Sequence, residues 1–334
     1  MILLIILWSF RVSNGSSLHH LTWNQSTSQE SHDRYEKTTY FLREKIPGFY
    51  DWYTKGKTCF KKTGMTIYDY MKSHQFYDAD VLCNELENVG QNKGILMIGD
   101  SVQAHWVTQL AALFDASWSD FSVGDETNTG EWHENTPRWR ICNGTQKVAF
   151  IRNDALTIAH YPLDGTLCNE RHNTICRTWA TAKILSTFSI IVLNTGAHYR
   201  TDENLMKEVS EAANYLKQYE KTHTIVYRNS VPGHANCETL TAPFHSNMEA
   251  EKWIADNPLY DYEKFKHQNI LAWKLFRKVL PTSHLLDAYT SSVARGDQHQ
   301  GEGDCLHVCV PSGPVMQWSI DLFNIIHFNN FNRE

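Results

Sequence analysis

The sequence of 334 residues lacks an excess of basic residues, any apolar run of membrane length, and any internal repeat. Its 31 Lys and Arg against 37 Asp and Glu give a formal net charge of −6. Without a basic field, binding to nucleic acid or to an anionic membrane surface is disfavoured. Because a spanning helix needs about 20 consecutive apolar residues, we also expect no integral membrane span.

A short apolar run opens the sequence over residues 1–8, with no Lys or Arg before it, and small residues follow around Gly15. This run is too short to span a bilayer, and the small residues suit a signal-peptidase site. Residues 1–15 are therefore interpreted as a signal peptide, either complete or part of a truncated gene model. The triplets that begin at Asn24 and Asn143 are N-glycosylation acceptors, which are meaningful only in a secretory protein. We expect a secreted or lumenal glycoprotein of the endoplasmic reticulum, the Golgi or the extracellular space.

Eight cysteines follow the predicted signal peptide, and an even number in a secretory chain predicts up to four disulfides. Their pairing does not follow from one sequence, and buried free thiols in a cytosolic chain are the alternative interpretation. The candidates are Cys59, Cys83, Cys142, Cys168, Cys176, Cys237, Cys305 and Cys309.

After residue 92 the sequence alternates between short apolar runs and stretches with helical spacing. Continuous apolar runs are typical of strands buried on both faces of a parallel sheet, and a strand that leads into a helix is half of a parallel α/β unit. The predicted strands are 94–99, 147–151, 156–160, 188–193, 224–228 and 284–287, and the predicted helices are 102–114, 202–219, 260–279 and 315–328.

This alternation predicts an α/β fold with one main domain, a three-layer α/β/α sandwich around a mostly parallel sheet. Residues 16–45 are rich in Ser, Thr, His and charge and are expected to form a polar leader. Residues 46–92 form the predicted small N-terminal cap, held by a disulfide, and residues 93–334 form the main domain.

Asp304 stands three residues before His307, and Ser101 follows the first apolar run of the main domain. In a serine hydrolase, a carboxylate holds an imidazole in one tautomer and the imidazole takes the serine proton. A spacing of three residues can bring Asp304 and His307 to one side of a tight turn, which we expect in a loop before the last helix. Ser101 falls at a strand end and a helix start, where sites form and free N–H groups favour an oxyanion. The alternative is that Ser101 only caps the helix.

Asn194, Thr195 and Gly196 end the next long apolar run, at the same predicted edge of the sheet. The Asn194 amide can donate to an oxyanion and Gly196 allows close backbone approach, although an ordinary turn has the same composition. Cys305, His307 and Cys309 have the spacing of metal ligands, but no second close pair completes a zinc site, and an oxidising compartment favours a disulfide. We therefore expect no metal site.

Together these blocks resemble the SGNH (GDSL-like) hydrolase superfamily, and within it the trichome-birefringence-like and PC-esterase group. The block from Asp304 to Pro311, followed by Trp318, is similar to that group's Asp-Cys-x-His-x-Cys-x-Pro signature. The other matching blocks are Gly99-Asp100-Ser101 and Asn194-Thr195-Gly196, and their order and spacing correspond over roughly residues 92–325. Residues 102–106 and 197–199 depart from the pattern of many relatives, so the polysaccharide specificity is not carried over.

The resemblance implies a flavodoxin-like fold in which Ser101 is the nucleophile, His307 the general base and Asp304 its orienting partner. The implied oxyanion donors are the backbone N–H of Ser101, the side chain of Asn194, and Gly124 in the loop after residues 121–123. The implied activity is transfer or hydrolysis of an O-acetyl group on a carbohydrate or glycoconjugate, with no bound cofactor. A transferase would need an acetyl donor of unknown identity. The alternatives are a catalytically silent secreted carbohydrate-binding or interaction protein on the same scaffold, and a lipid or phospholipid esterase.

Overall fold

The computed structural model describes residues 23–26, 67–70, 79–90, 93–114, 117–118, 138–160, 167–169, 174–198, 201–310 and 313–331, together with Tyr40 and Glu44. The predicted signal peptide, Cys59 and Gly124 lie outside these residues, as do most of the predicted polar leader and much of the cap. All structural statements below concern the described part of the chain.

Strands and helices alternate along most of this part of the chain. The strands are β1 (Trp23–Ser26), β2 (Ile67–Tyr70), β3 (Ile95–Gly99), β4 (Ser117–Trp118), β5 (Arg138–Ile141), β6 (Gln146–Arg152), β7 (Leu167–Asn169), β8 (Thr174–Ile175), β9 (Ile190–Asn194), β10 (Thr224–Arg228), β11 (His284–Leu286), β12 (His299–Gly301) and β13 (Asp304–Val308). The helices are α1 (Ala79–Gly90), α2 (Ser101–Leu113), α3 (Ala182–Leu185), α4 (Asp202–Leu216), α5 (Asn247–Asp256), α6 (Phe265–Val279), α7 (Ala288–Ser292) and α8 (Gly313–Phe331).

Seven strands form the central sheet, in the order β11-β10-β9-β3-β6-β5-β4. The pairings from β11 to β6 are parallel, and β5 and β4 are antiparallel additions at one edge. The predicted α/β fold with a mostly parallel sheet is therefore confirmed. Counted along the chain, the five parallel strands stand in the order 2-1-3-4-5, for which ligands bind where the order reverses. That point lies between β3 and β9.

Alternate residues of the parallel strands enter two hydrophobic cores. All five residues of β3 are buried, which explains why the run is apolar at every position. One core joins Met97 and Val192 to Trp106 of α2 and Trp318 of α8. The other joins Ile98 and Leu193 to Val209 of α4 and Phe276 of α6.

The predicted strand over residues 156–160 is wrong. Asn153 accepts a hydrogen bond from the backbone N–H of Thr157 at 3.0 Å and donates to the Thr157 carbonyl at 3.1 Å, so its side chain satisfies groups that a strand would pair. Leu156 has a φ of 50° and ends any extended run. The antiparallel partner of β6 is instead β5.

Disulfides brace the fold at three described pairs, Cys83–Cys142, Cys168–Cys176 and Cys237–Cys305. The first ties α1 to the turn between β5 and β6, where Asn143 of the second glycosylation triplet is exposed. Cys309 is also disulfide-bonded, so the described cysteines contain no free thiol. The prediction of disulfides is confirmed. Among the described helices, none has both the length and the apolar content to cross a membrane.

Candidate active site

Ser101 is the first residue of α2, directly after β3. Asp100 caps this helix, because its Oδ1 accepts hydrogen bonds from the N–H groups of Val102 at 3.0 Å and Gln103 at 3.3 Å. The capping role that the sequence allowed for Ser101 therefore belongs to Asp100. Ser101 stands at the positive end of the helix dipole, beside the point where the strand order reverses.

Asp304 and His307 lie in the hairpin of β12 and β13, and not in the expected loop. Gly301, Glu302 and Gly303 make its tight turn with positive φ angles of 77°, 53° and 87°. The Asp304 carboxylate points along its own strand toward His307 and accepts a hydrogen bond from the His307 backbone N–H at 3.1 Å. Both carboxylate oxygens also lie 3.0 Å from the His307 Nδ1.

The structure brings Ser101, Asp304 and His307 together. The His307 Nε2 lies 2.6 Å from the Ser101 Oγ, across a sequence separation of 206 residues. Because an ionised carboxylate can only accept, Asp304 holds the proton on Nδ1, which leaves Nε2 free to accept the serine proton. The side chains of His307 and Asp304 are 19% and 22% exposed, so the constellation is open to a substrate.

Two other histidines, His105 and His299, contact His307 and its strand. The His105 ring packs flat against it, and the His105 Nδ1 lies 3.0 Å from the Val308 carbonyl. The His307 carbonyl lies 3.3 Å from Nδ1 of His299, a buried imidazole. The backbone and the ring of His307 are thus both fixed.

A buried arginine connects Ser101's helix to the rest of the site. Arg228, the last residue of β10, donates from Nε to the Gln103 Oε1 at 2.7 Å, and its Nη2 lies 3.9 Å from the Asp100 Oδ1. Its guanidinium stacks 5.1 Å from the ring of Trp318. Burial lowers the pKa of Arg228 to about 10, and nearby Asp100 opposes this effect. Arg228 is not among the residues predicted from the sequence, although an Arg that ends an otherwise apolar strand is a signal that could have indicated it.

The predicted oxyanion donors differ in how the structure presents them. The N–H of Ser101 lies in the first turn of α2, where N–H groups have no partner within the helix. The Asn194 amide is buried and donates to the Thr195 and Arg228 carbonyls, both at 3.3 Å. Its side chain must turn to reach an oxyanion, so its role stays a prediction. Gly124 lies outside the described residues.

Gly196 permits a close approach that the sequence also suggested. A Cβ at this position would lie 1.5 Å from the Ser230 Oγ, so no larger residue fits without movement. Ser230 in turn donates to the Thr195 carbonyl. The segment after β9 is thereby held against the segment after β10, on the edge of the sheet that carries Ser101.

His198, in the segment after β9, lies near Arg152 and Asp154. The Arg152 Nε donates to the Asp154 Oδ1 at 2.9 Å, and the His198 Nε2 lies 3.7 Å from the Asp154 Oδ2. The Asp154 side chain is fully buried, whereas Arg152 and His198 are 17% and 21% exposed. Two cationic or hydrogen-bonding groups therefore face solvent around one buried carboxylate.

The hairpin of the triad is also tied to a buried histidine pair and to a disulfide. The His234 Nδ1 lies 2.8 Å from the His299 Nε2, and burial lowers the pKa of His234 to about 4. The Cys237–Cys305 disulfide joins the residue after Asp304 to a loop beyond β10. Ligand atoms of Cys237, Glu238 and Cys305 come within 4.8 Å of one another, but bonded sulfurs are not the thiolates that a metal needs.

A scan of the chain against protein-family models gives no match, and a search of curated proteins gives none either.

Proposed function

We propose that the protein is a serine-dependent O-acyl transferase or esterase that acts on acetylated carbohydrate in the secretory pathway. The observation that carries the proposal is the continuous chain of contacts from Asp304 through His307 to Ser101, with distances of 3.0 and 2.6 Å. These three groups in this order are the minimum for acyl transfer through a serine ester.

The reaction would proceed by double displacement. His307 Nε2 takes the proton of Ser101 as Oγ attacks the acetyl carbonyl carbon, and Asp304 stabilises the imidazolium. The tetrahedral oxyanion accepts from the N–H groups at the start of α2. When it collapses, the proton passes from His307 to the leaving oxygen and the acetyl group stays on Ser101. His307 then deprotonates water or a sugar hydroxyl as its oxygen attacks the acetyl carbon. When this second tetrahedral intermediate collapses, the bond to the Ser101 Oγ breaks, His307 returns the proton to that oxygen, and the acetyl group leaves on the acceptor.

The fold proposed for this chemistry is the flavodoxin-like α/β/α sandwich of the SGNH superfamily. Its support is the strand order 2-1-3-4-5 and the two cores on opposite faces of the sheet. Membership of this superfamily is also supported by the motif resemblance. Two of the signature residues lie at the site, where His307 contacts Ser101 and Trp318 packs against Arg228. Carbohydrate as the acyl acceptor comes from that resemblance.

A fluorophosphonate probe tests the proposal directly, because it esterifies only an activated serine. We expect the folded chain to be labelled at Ser101, and Ser101→Ala to lose both labelling and turnover of an aryl acetate by at least about 10³-fold. Ser186→Ala, which removes an exposed hydroxyl at the end of α3, serves as the matched control and should label normally. A correctly folded chain that is never labelled would favour a catalytically silent binding protein.

The reaction products then distinguish transfer from hydrolysis. The acyl-enzyme is formed with an isotope-labelled acetyl donor and is then supplied with candidate glycans in water. Mass spectrometry follows the labelled acetyl group. An acetylated glycan identifies a transferase, whereas free acetate alone identifies an esterase. Acyl chains longer than acetyl that turn over faster would favour a lipid esterase instead.

A further inference from the structure

Apart from the Ser101 site, a pocket opens at the carboxyl edge of the sheet beside β10 and β11. Its volume is about 570 Å³, and its walls come from α5, α6 and the segment after β11. We call it the α5–α6 pocket and define it by Asn247, Met248, Glu251, Ile270, Trp273 and Tyr289. Pockets of this size bind small molecules.

One wall of the α5–α6 pocket is apolar and open to solvent. Met248 is 78% exposed and Ile270 is 47% exposed, and they are two of the four large hydrophobic side chains exposed in the described part of the chain. Trp273 lies beside them, fixed by stacking on Tyr227 with ring centroids 6.5 Å apart. Single exposed apolar residues are ordinary, but two that share a concavity with a fixed indole favour a ligand with an apolar face.

Tyr289 brings a phenolic hydroxyl to the lining of the pocket. The residue is only 8% exposed, so it packs among its neighbours in the pocket wall. Tyrosine hydroxyls in such positions usually form a hydrogen bond, and a ligand hydroxyl in the pocket can provide one. Burial, with Glu251 and Asp287 nearby, raises the pKa of Tyr289, which keeps the hydroxyl protonated and able to donate.

The charges around the pocket cancel. Glu251 and Asp287 are balanced by Lys266 and Lys274, and Lys266 pairs with Glu251 at 2.7 Å. Balanced charges give no net attraction to an anion or to a cation. The preferred ligand is therefore neutral, with hydroxyl groups for Tyr289 and the rim and an apolar face for Ile270 and Trp273. A pyranose ring has this chemistry.

The pocket and the triad share one edge of the sheet. Asn229 follows β10 and Asp287 follows β11, and these strands stand two and three places from β3. With neighbouring strands about 4.8 Å apart, the pocket lies about 10–14 Å along the edge from the end of β3, which Ser101 follows. A short oligosaccharide spans such a distance.

We propose that the α5–α6 pocket binds a neutral sugar unit of an oligosaccharide whose acetylated or acceptor residue lies at Ser101. The choice of a carbohydrate rests on the proposed function, whereas the neutral, hydroxyl-binding character rests on the pocket's own residues. The pocket would hold the oligosaccharide in one register, so that binding energy distant from the ester selects which sugar unit reaches Ser101.

Binding is measured by calorimetry on the full chain with Ser101→Ala, which prevents turnover, using neutral cello-, xylo-, manno- and chito-oligosaccharides as probes. We expect at least one probe to bind. Tyr289→Phe should weaken it about fivefold, which corresponds to loss of one hydrogen bond of about 1 kcal/mol. Ile270→Arg, at an exposed helix position, should abolish it by filling the apolar wall. Tyr260→Phe removes the same hydroxyl from a 61% exposed tyrosine outside the pocket and should change nothing.

Three results would overturn the proposal: no probe binds to the folded chain, binding is unaffected by both pocket variants, or myristate binds in the pocket and displaces the oligosaccharide. Circular dichroism verifies folding, and Tyr289→Phe, which keeps the ring, decides the matter if Ile270→Arg unfolds. Failure of the proposed function has a different signature, since oligosaccharide binding would persist while the chain is not labelled by fluorophosphonate.

Discussion

The imidazole of His105 stacks on that of His307, with ring centroids 4.9 Å apart and planes inclined by 18°. His105 is fully buried and lies within hydrogen-bond distance of the Val308 carbonyl, so it touches both the His307 ring and the strand that carries it. Its position makes it a positioning residue, because it holds a ring whose angle decides whether Nε2 points at Ser101.

Removal of the His105 ring should therefore impair turnover without impairing substrate binding. We expect His105→Ala to lower kcat for an aryl acetate by about tenfold or more while KM changes little, because a small misplacement of a catalytic group is costly. His105→Phe keeps the stacking face and should recover part of kcat. His223→Ala removes another buried imidazole, bonded to the Leu185 carbonyl, and should leave kcat unchanged. An unaltered kcat in folded His105→Ala would contradict this role.

Arg228 should be more important for stability than its single charge suggests. Its replacement by Met leaves Asp100 and Gln103 without their buried partner, and we expect the free energy of unfolding to fall by about 3–5 kcal/mol. Arg228→Lys keeps the charge but loses the planar fork, so its loss should be smaller. Denaturant unfolding measures both, and Arg277→Met, which removes an exposed arginine 5.9 Å from Trp273, is the control. Equal losses at 228 and 277 would refute the argument.

Stability should fall in mild acid because of His234. Burial lowers its pKa to about 4 in the folded chain, below the ordinary value of 6.5. Between these two pH values the unfolded chain binds a proton that the native chain rejects, so the free energy of unfolding decreases as pH falls. The decrease from this group is at most about 3 kcal/mol.

His234→Gln isolates the His234 contribution, because it retains a donor near the Val293 carbonyl and removes the titration. Groups that do not interact with residue 234, such as His223, titrate alike in both chains and cancel in the difference between the two unfolding free energies. We expect the unfolding free energy of the unaltered chain, minus that of His234→Gln, to decrease as pH falls from near neutral to about 4. A difference that is constant across this range would show that His234 does not titrate as described.

The Cys237–Cys305 disulfide should support both folding and labelling of Ser101. It closes a separation of 68 residues, and its removal by the double Cys→Ala change should lower the free energy of unfolding by about 4 kcal/mol. Because Cys305 follows Asp304, we also expect slower fluorophosphonate labelling at temperatures where the variant is folded. Removal of Cys168–Cys176, with a separation of 8, is the matched control and should leave the labelling rate intact. Similar rates in both variants would exclude a role in the site.

The sequence predicted elements well where burial alone determines the residue pattern. β3, β9 and β10 are apolar at nearly every position because both faces are covered. α4 lies within the helix predicted over residues 202–219 and buries Leu205, Val209, Ala212 and Leu216, which share one helical face. α5 was not predicted, since its ten residues carry only two buried positions, Ala250 and Ile254. A pattern that short does not define a face.

Within the site, the motif residues could be anticipated but their supports could not. Ser101, Asp304 and His307 follow from strand ends and spacing. Arg228 and His105 act through partners distant in sequence, 125 and 203 residues away, and nothing local marks those pairs. The Asn194 amide illustrates the limit, because its position at the strand end was foreseeable and its turn toward two carbonyls was not.

The sequence separation of 206 residues between Ser101 and His307 also determines the order in which these residues are synthesised. The strand and helix that carry the serine emerge from the ribosome early, whereas the β12–β13 hairpin emerges near the end of the described chain. Contacts of such high sequence separation form late, because the loop between them must close first. On the proposed function, the Ser101 hydroxyl stays unactivated until this hairpin docks, so its labelling by fluorophosphonate would report that the chain has finished folding.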